Sequence, residues 1–280
     1  MTASTHPASP FSATNLPEYF QKLSKDYAQQ TGNTTRSLFT KAMDDLNLPI
    51  DSSSIVHDNA CGPGTATIAI LERMGSRPPT IKATDWVPAM VDVLSQAASA
   101  ERWVTVETSV MDAHNLRFAD GTFTHSITNF SVFAFRDGLK CLREIYRTLK
   151  LAGVAVVTTW KRFGVSKVVH QAQRAVRPDL PPMKVPGAEF QAKGFLLNLM
   201  VEAGFDKDKV EASEKSIVVK GDDLEGLIQF MAGPLTAPAR AGWTDDEISK
   251  WDGVIAEAVE AENEEFGGVR MEAWVVSARK

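Results

Sequence analysis

The chain has 280 residues, 44% of them apolar, and a formal charge of −5. That length and apolar share suit one α/β domain with additions, or a domain and a half, around a sizeable core. The acidic balance, without a basic cluster, argues against a sequence-independent grip on nucleic acid and against attraction to an anionic membrane surface.

No run approaches the ~20 apolar residues of a membrane-spanning helix. Two cysteines, Cys61 and Cys141, make neither a disulfide framework nor a metal site. The expected setting is a reducing one, the cytosol.

Residues 1–14 are rich in Ser, Thr, Ala and Pro and are expected to form a disordered leader. The stretch from Met1 to Phe20 has no apolar core of signal-peptide length. From Leu16 to Leu46 the pattern is helical, with Tyr19, Phe20, Leu23 and Tyr27, then Leu38, Phe39, Ala42, Met43 and Leu46. Thr31-Gly32-Asn33 divides it into two helices.

Ser54-Ile55-Val56-His57-Asp58-Asn59-Ala60-Cys61-Gly62-Pro63-Gly64-Thr65 then reads as a buried strand, a glycine turn and a helix start. Gly62 and Gly64 let the backbone turn sharply and approach a ligand, and Pro63 stiffens the turn. The helix after it presents free N–H groups. That helix runs to Met74, where Gly75 ends it and Pro78-Pro79 prevent continuation.

A second strand, Thr80 to Thr84, ends at Asp85, and a helix follows from Pro88 to Ala98. A third strand is predicted over Trp103 to Glu107, before Asp112. Asp120-Gly121 turns into a fourth strand, Phe123 to Asn129. A helix is predicted over Asp137 to Leu149, and a fifth strand from Gly153 to Trp160. Beyond it come helices at Val165 to Val176, Phe190 to Gly204, Asp222 to Ala232 and Thr244 to Glu265. Strands are predicted at Val210 to Lys220 and Val269 to Ser277. Thr244-Asp245-Asp246-Glu247 has the form of a capping box.

Three acids thus stand at or past the carboxyl ends of three successive strands, the edge at which open α/β sheets bind ligands. Asp85 lies 21 residues after Gly64, near the ~20 expected of an acid that grips ribose hydroxyls. That spacing suits NAD and S-adenosylmethionine alike. NAD sites want a third small residue where this chain has Thr67. Asp58 would repel a pyrophosphate, but it suits a cationic amino-acid group beside a sulfonium. Asp112 is placed to accept from an adenine amino group. The pattern favours S-adenosylmethionine.

Asp58-Asn59-Ala60-Cys61-Gly62-Pro63-Gly64 resembles the first motif of class I S-adenosylmethionine-dependent methyltransferases. Asp85, Met111-Asp112-Ala113 and the run His125 to Phe135 resemble the later motifs in order, over roughly residues 50 to 160. More narrowly, Asp58 to Gly62 and Phe130 with Phe135 are similar to fungal small-molecule methyltransferases of secondary metabolism. These include thiol methyltransferases of dithiol-containing dioxopiperazines.

The resemblance implies an α/β, Rossmann-like, seven-stranded sheet with an N-terminal helical cap and helical lid insertions. It implies a single domain over 15–280: a cap at 15–47, a cofactor-binding core at 50–160 and a substrate lid at 161–240. The cofactor would be S-adenosyl-L-methionine, leaving as S-adenosyl-L-homocysteine. Its binding residues would be Tyr27, Asp58, Ala60, Cys61, Gly62, Gly64, Asp85, Trp86, Met90, Met111, Asp112, Ala113 and Asn129. Cys61 is read as a small turn residue rather than a nucleophile.

Methyl transfer to a thiol or a pre-activated nucleophile needs no metal, and a hydroxyl acceptor wants a base. His57 and His125 read as packed strand residues and His114 as a loop residue. His170, on the helix after the fifth strand, is the candidate base. Phe130, Phe135 and Trp160 would wall an apolar pocket for a small-molecule substrate. Three other readings stand beside this one. They are an NAD-dependent oxidoreductase, a nucleic-acid methyltransferase, and a cofactor-binding protein without transferase activity, such as a pericyclase.

Overall fold

The computed structural model describes residues 24, 27–31, 33–46 and 48–280. The expected leader, the apolar positions Tyr19, Phe20 and Leu23, and Gly32 lie outside the described residues. On either side of Gly32 run two helices, α1 (Tyr27–Gln30) and α2 (Thr34–Leu46). Thr31 Oγ1 donates to the Tyr27 carbonyl at 2.7 Å and so ends α1.

Seven strands follow: β1 (Ile55–Asn59), β2 (Thr80–Asp85), β3 (Val106–Val110), β4 (Phe123–Asn129), β5 (Leu149–Arg162), β6 (Val210–Val219) and β7 (Val269–Arg279). They form one sheet in the order β3-β2-β1-β4-β5-β7-β6. The first five pair in parallel, and β7 runs antiparallel between β5 and β6. The chain winds outward from β1 to β3, then returns to lay β4 on the other side of β1. The carboxyl ends of β1 and β4 therefore diverge into the crevice where such sheets bind ligands.

The helices between and after the strands are α3 (Thr65–Met74), α4 (Pro88–Ala100), α5 (Gly138–Thr148), α6 (Gly164–Val176), α7 (Phe195–Glu202), α8 (Asp222–Ala232), α9 (Asp245–Ile248) and α10 (Trp251–Phe266). Two apolar layers form because alternate residues of a strand face opposite sides. Val154 and Val156 of β5 join Leu38, Ile70, Val168 and Ile255 in one layer, with α2, α3, α6 and α10. Ala155 and Val157 join Leu142, Ile145 and Met200 in the other, with α5 and α7. Among the described residues, no helix is long and apolar enough to cross a membrane.

Four elements differ from the sequence expectation by more than two residues. The third strand spans Val106–Val110 rather than Trp103 to Glu107. Trp103 instead closes α4, its N–H reaching the Ala98 carbonyl at 2.8 Å, and Val104 is exposed. An edge strand reading Val-Glu-Thr-Ser-Val carries little apolar signal. The fifth strand starts at Leu149, which pairs with Phe123 ahead of a register shift. The helix expected over Phe190 to Gly204 divides into a 3-10 turn, Ala188–Gln191, and α7. The helix expected from Thr244 divides at Ser249–Lys250 into α9 and α10, although the Thr244–Glu247 capping box does form.

Candidate active site

The turn after β1 is held open by its neighbours. Cys61 N donates to the Thr84 carbonyl at 2.9 Å, which ties the turn to β2. Gly64 has φ 97°, and a Cβ there would stand 2.4 Å from Leu94 Cδ1, so the helix start admits only glycine. Ala60 takes a positive φ of 55° without that freedom. The N-terminus of α3 consequently sits hard against β1 and α4.

Asp58 ends up 1% exposed beneath this turn. Its Oδ2 accepts from Thr67 N at 3.0 Å and from Thr67 Oγ1 at 2.6 Å. Its Oδ1 is buried and has no partner. Burial pushes the carboxyl up to about 6, against the two Thr67 hydrogen bonds and with help from the charge of Asp85. Thr67, which reads in the sequence only as a departure from a glycine pattern, is thus the residue that orients Asp58. A contact nine positions apart across a turn leaves no periodic trace.

Asp85 bridges two loops. Oδ2 accepts from Gly62 N and Oδ1 from Val87 N, both at 2.9 Å. Burial raises its pKa against those backbone hydrogen bonds. Each oxygen keeps a second lone pair, the arrangement needed to accept from a vicinal diol. Trp86, beside it, is 55% exposed, while Met90 is buried in the first turn of α4.

Met111 and Ala113 are buried, and Met111 N donates to the Asp85 carbonyl at 2.9 Å. Asp112 Oδ1 accepts from the backbone N of His114 at 2.9 Å and meets its Nδ1 at 2.6 Å. Burial would raise the Asp112 pKa, but those His114 contacts and the Arg136 charge hold it below the usual carboxylate range. His114 Nε2 accepts from Asp137 N at 3.2 Å, which assigns the ring proton to Nδ1. His114 is therefore a strut between the Asp112 loop and the start of α5.

Asn129, at the end of β4, joins three elements. Its amide nitrogen donates to the Thr35 carbonyl of α2 at 3.3 Å and to Thr65 Oγ1 of α3 at 3.4 Å. Its Oδ1 accepts from Thr158 Oγ1 of β5 at 2.7 Å. Thr158 Oγ1 also accepts from Phe130 N at 2.9 Å, and this holds Phe130 at a φ of 50°. In that conformation Phe130 packs on Trp160, with ring centroids 4.2 Å apart, and Trp160 packs on Phe163 at 4.9 Å. Phe135 lies elsewhere, packed against the second layer with its ring edge toward His114 at 6.0 Å.

From the cap, half-buried Tyr27 stands beside Thr35 and within reach of the Asp85 charge. Burial pushes its phenol up to about 12, with Thr35 opposing and Asp85 adding to the shift, so it stays a neutral donor.

His57, His125 and His170 each have a separate setting. His57 stacks on Phe123 at 4.7 Å, and burial pulls it down to about 3. His125 is pulled down to about 4 by burial, with its Nδ1 at 2.9 Å from Thr124 Oγ1. His170 Nε2 meets the Met183 carbonyl at 2.7 Å, which tethers the proline-rich loop to α6.

A family model described as a methyltransferase domain matches residues 56–153. The chain is 25% identical over 258 residues to the methyltransferase ktnA of Aspergillus niger, across 81% of this chain and 84% of that one. It is 31% identical over 128 residues to the methyltransferase ucsB of an Acremonium species, covering 42% of this chain and 44% of that one. Its fold is shared, at a TM-score of 0.52 and 14% identity, with a Haemonchus contortus phosphoethanolamine N-methyltransferase 2 in complex with S-adenosyl-L-methionine. That match covers 86% of this chain and 52% of the other. Residues 56–153 thus match a methyltransferase domain, and the chain resembles the class I S-adenosylmethionine-dependent methyltransferases, among them the fungal ones of secondary metabolism.

Proposed function

We propose that the chain moves a methyl group from S-adenosyl-L-methionine to a thiol or hydroxyl of a small, largely apolar metabolite. The observation that carries this reading is the unfilled Oδ1 of Asp58. A buried carboxylate oxygen without a donor is costly, and a ligand ammonium removes that cost. A pyrophosphate would worsen it.

The sulfonium of the cofactor supplies the electrophilic methyl carbon. The residues present fit such a group. Asp58 would take its ammonium, Asp85 its ribose hydroxyls and Asp112 its adenine amino group. Trp86, Met90, Met111 and Ala113 would enclose the adenosine. Ala60, Cys61, Gly62 and Gly64 would bring the backbone close, and Tyr27 and Asn129 would close over the amino-acid end. Residues 15–47 act as the cap and 161–240 as the lid. Phe130 and Trp160 wall the acceptor pocket, and Phe135, packed in the opposite layer, does not join them.

The protein's share of catalysis is position and exclusion of water. A thiol acceptor, with a pKa of ~8.5, already holds a few per cent thiolate near neutral pH. For a hydroxyl, His170 is the candidate base. Its Nε2–H donates to Met183, which leaves Nδ1 as the acceptor.

Calorimetry of the purified chain with S-adenosylhomocysteine, and with NAD as control, tests the cofactor. Binding of the first alone is expected. Asp85→Ala should weaken it by roughly 1.5–3 kcal/mol, the scale of a hydrogen bond to a charged group. Binding of NAD alone would overturn the proposal.

A further inference from the structure

The connection from β3 to β4, residues 111–122, carries Asp112 and contains no helix or strand of its own. It takes its shape from α5. Leu116 N donates to Glu144 Oε2 at 2.8 Å. Arg147 Nη2 donates to the Leu116 carbonyl at 2.9 Å, and its Nη1 to the Phe118 carbonyl at 2.8 Å. Those ties begin only at Leu116. Nearer the carboxylate, the link toward α5 is His114.

Asp112 needs that link. Its side chain is 54% exposed, so packing does not select its rotamer. The charge of exposed Arg136 acts on it, yet among the described residues Arg136 forms no ion pair. A carboxylate left to itself would be free to turn toward that guanidinium. His114 prevents the turn. Its backbone N at 2.9 Å and its Nδ1–H at 2.6 Å both hold Oδ1, which leaves Oδ2 for a ligand.

The ring is fixed in its own right. Nε2 accepts from Asp137 N at 3.2 Å, and the Asp137 carboxylate caps α5 by accepting from Lys140 N at 2.9 Å. Phe135 meets the ring edge-on, with centroids 6.0 Å apart. The His114 side chain is consequently only 13% exposed. With Nε2 filled by a donor, the neutral ring carries its proton on Nδ1, the side of Asp112. A residue two positions from Asp112 is thus anchored on the start of a helix more than twenty positions further along the chain.

We propose that His114 is a positioning residue for adenine recognition. Its Nδ1–H aims Asp112 Oδ2 at the exocyclic amino group of the cofactor, and so selects adenine over a purine that lacks that group. Phe135, which leaves the acceptor wall, flanks the His114 ring instead. This deepens the cofactor reading above and rests on it.

The test uses the full chain and calorimetry with two ligands. One is S-adenosylhomocysteine, and the other is its analogue with unsubstituted purine in place of adenine, which lacks only the amino group. The wild-type chain should bind S-adenosylhomocysteine about tenfold or more tightly than the analogue, as a hydrogen bond to a charged acceptor requires. His114→Phe keeps a ring and removes both nitrogens. In that variant the two affinities should fall within about threefold of each other, with the analogue bound as before. His114→Asn returns an amide N–H near the place of Nδ1 and should restore the preference. A merely structural role would weaken both ligands together and leave their ratio alone. Circular dichroism checks the fold, and His114→Ala, which cannot overfill the loop, decides the matter should His114→Phe unfold. A wild-type ratio kept in the folded variant, an equal loss of both ligands, or a His114→Asn variant without the preference would each overturn the proposal. Equal wild-type affinity for the two ligands would also overturn it, striking the role of Asp112 while the cofactor reading stands. A wild-type chain that binds neither ligand strikes the cofactor reading and takes this proposal with it.

Discussion

Asp58 shows how one side chain is set between stability and binding. Its folded pKa of about 6 lies above its ordinary value. The folded chain therefore holds that proton more tightly than the unfolded one does. The stability this contributes is full below pH ~4 and is lost as the pH rises through about 6. Asp58→Asn keeps an acceptor for Thr67 N and removes the buried charge. Chemical denaturation at neutral pH should show that variant about 1–3 kcal/mol more stable without ligand. Calorimetry should show it binding S-adenosylhomocysteine at least tenfold more weakly. A ligand ammonium needs the ionised carboxylate, so wild-type affinity should climb through pH ~6 and then level off, a rise that Asp58→Asn lacks. A flat wild-type profile would remove Asp58 from the ammonium site. Asp58 and Asp85 were legible in the sequence from spacing and charge. Thr67 and Thr158 were not, because their roles are hydrogen bonds to residues 9 and 28–29 positions away.

Among the elements, the cap and the lid meet at one glycine. A Cβ on Gly226 of α8 would stand 1.9 Å from the Gln29 carbonyl of α1. Asn33 Nδ2 adds a hydrogen bond to Asp223 Oδ1 at 2.7 Å. Glycine inside a helix costs about 1 kcal/mol against alanine, so helix propensity alone would favour the replacement. Gly226→Ala should leave the sheet folded by circular dichroism yet push α1 off α8, carrying Tyr27 from Asp85. Hydrogen exchange over residues 27–31 should quicken, and S-adenosylhomocysteine should bind about tenfold more weakly. Unchanged exchange and affinity would mean that the cap does not rest on that contact. The two helices on either side of Gly32 were readable from periodicity. Their docking was not, since Gly226 carries no apolar signal and the pair is about two hundred residues apart in the chain.

At the scale of the whole molecule, the crevice between β1 and β4 is where both apolar layers and the cap converge, so a ligand there ties together elements far apart in sequence. S-adenosylhomocysteine at a hundred times its dissociation constant should add about 2.7 kcal/mol to folding stability. For a chain of this size that is a rise in Tm of roughly 5 °C or more. A thermal melt giving no rise at that saturation would place binding outside the cooperative fold. The amino-acid sequence alone determined the strand–turn–helix around Asp58, the alternation of strands and helices, and the rank of acids at the strand ends. Those features are local, written in periods of two and three to four residues and in glycine and proline. Only the tertiary structure decided that β7 inserts antiparallel between β5 and β6 and that β3 starts at Val106. It also decided that Phe130 joins Trp160 while Phe135 turns to the opposite layer. Each of those outcomes depends on which face a side chain shares with distant residues, and packing across the sheet sets that after the local pattern is complete.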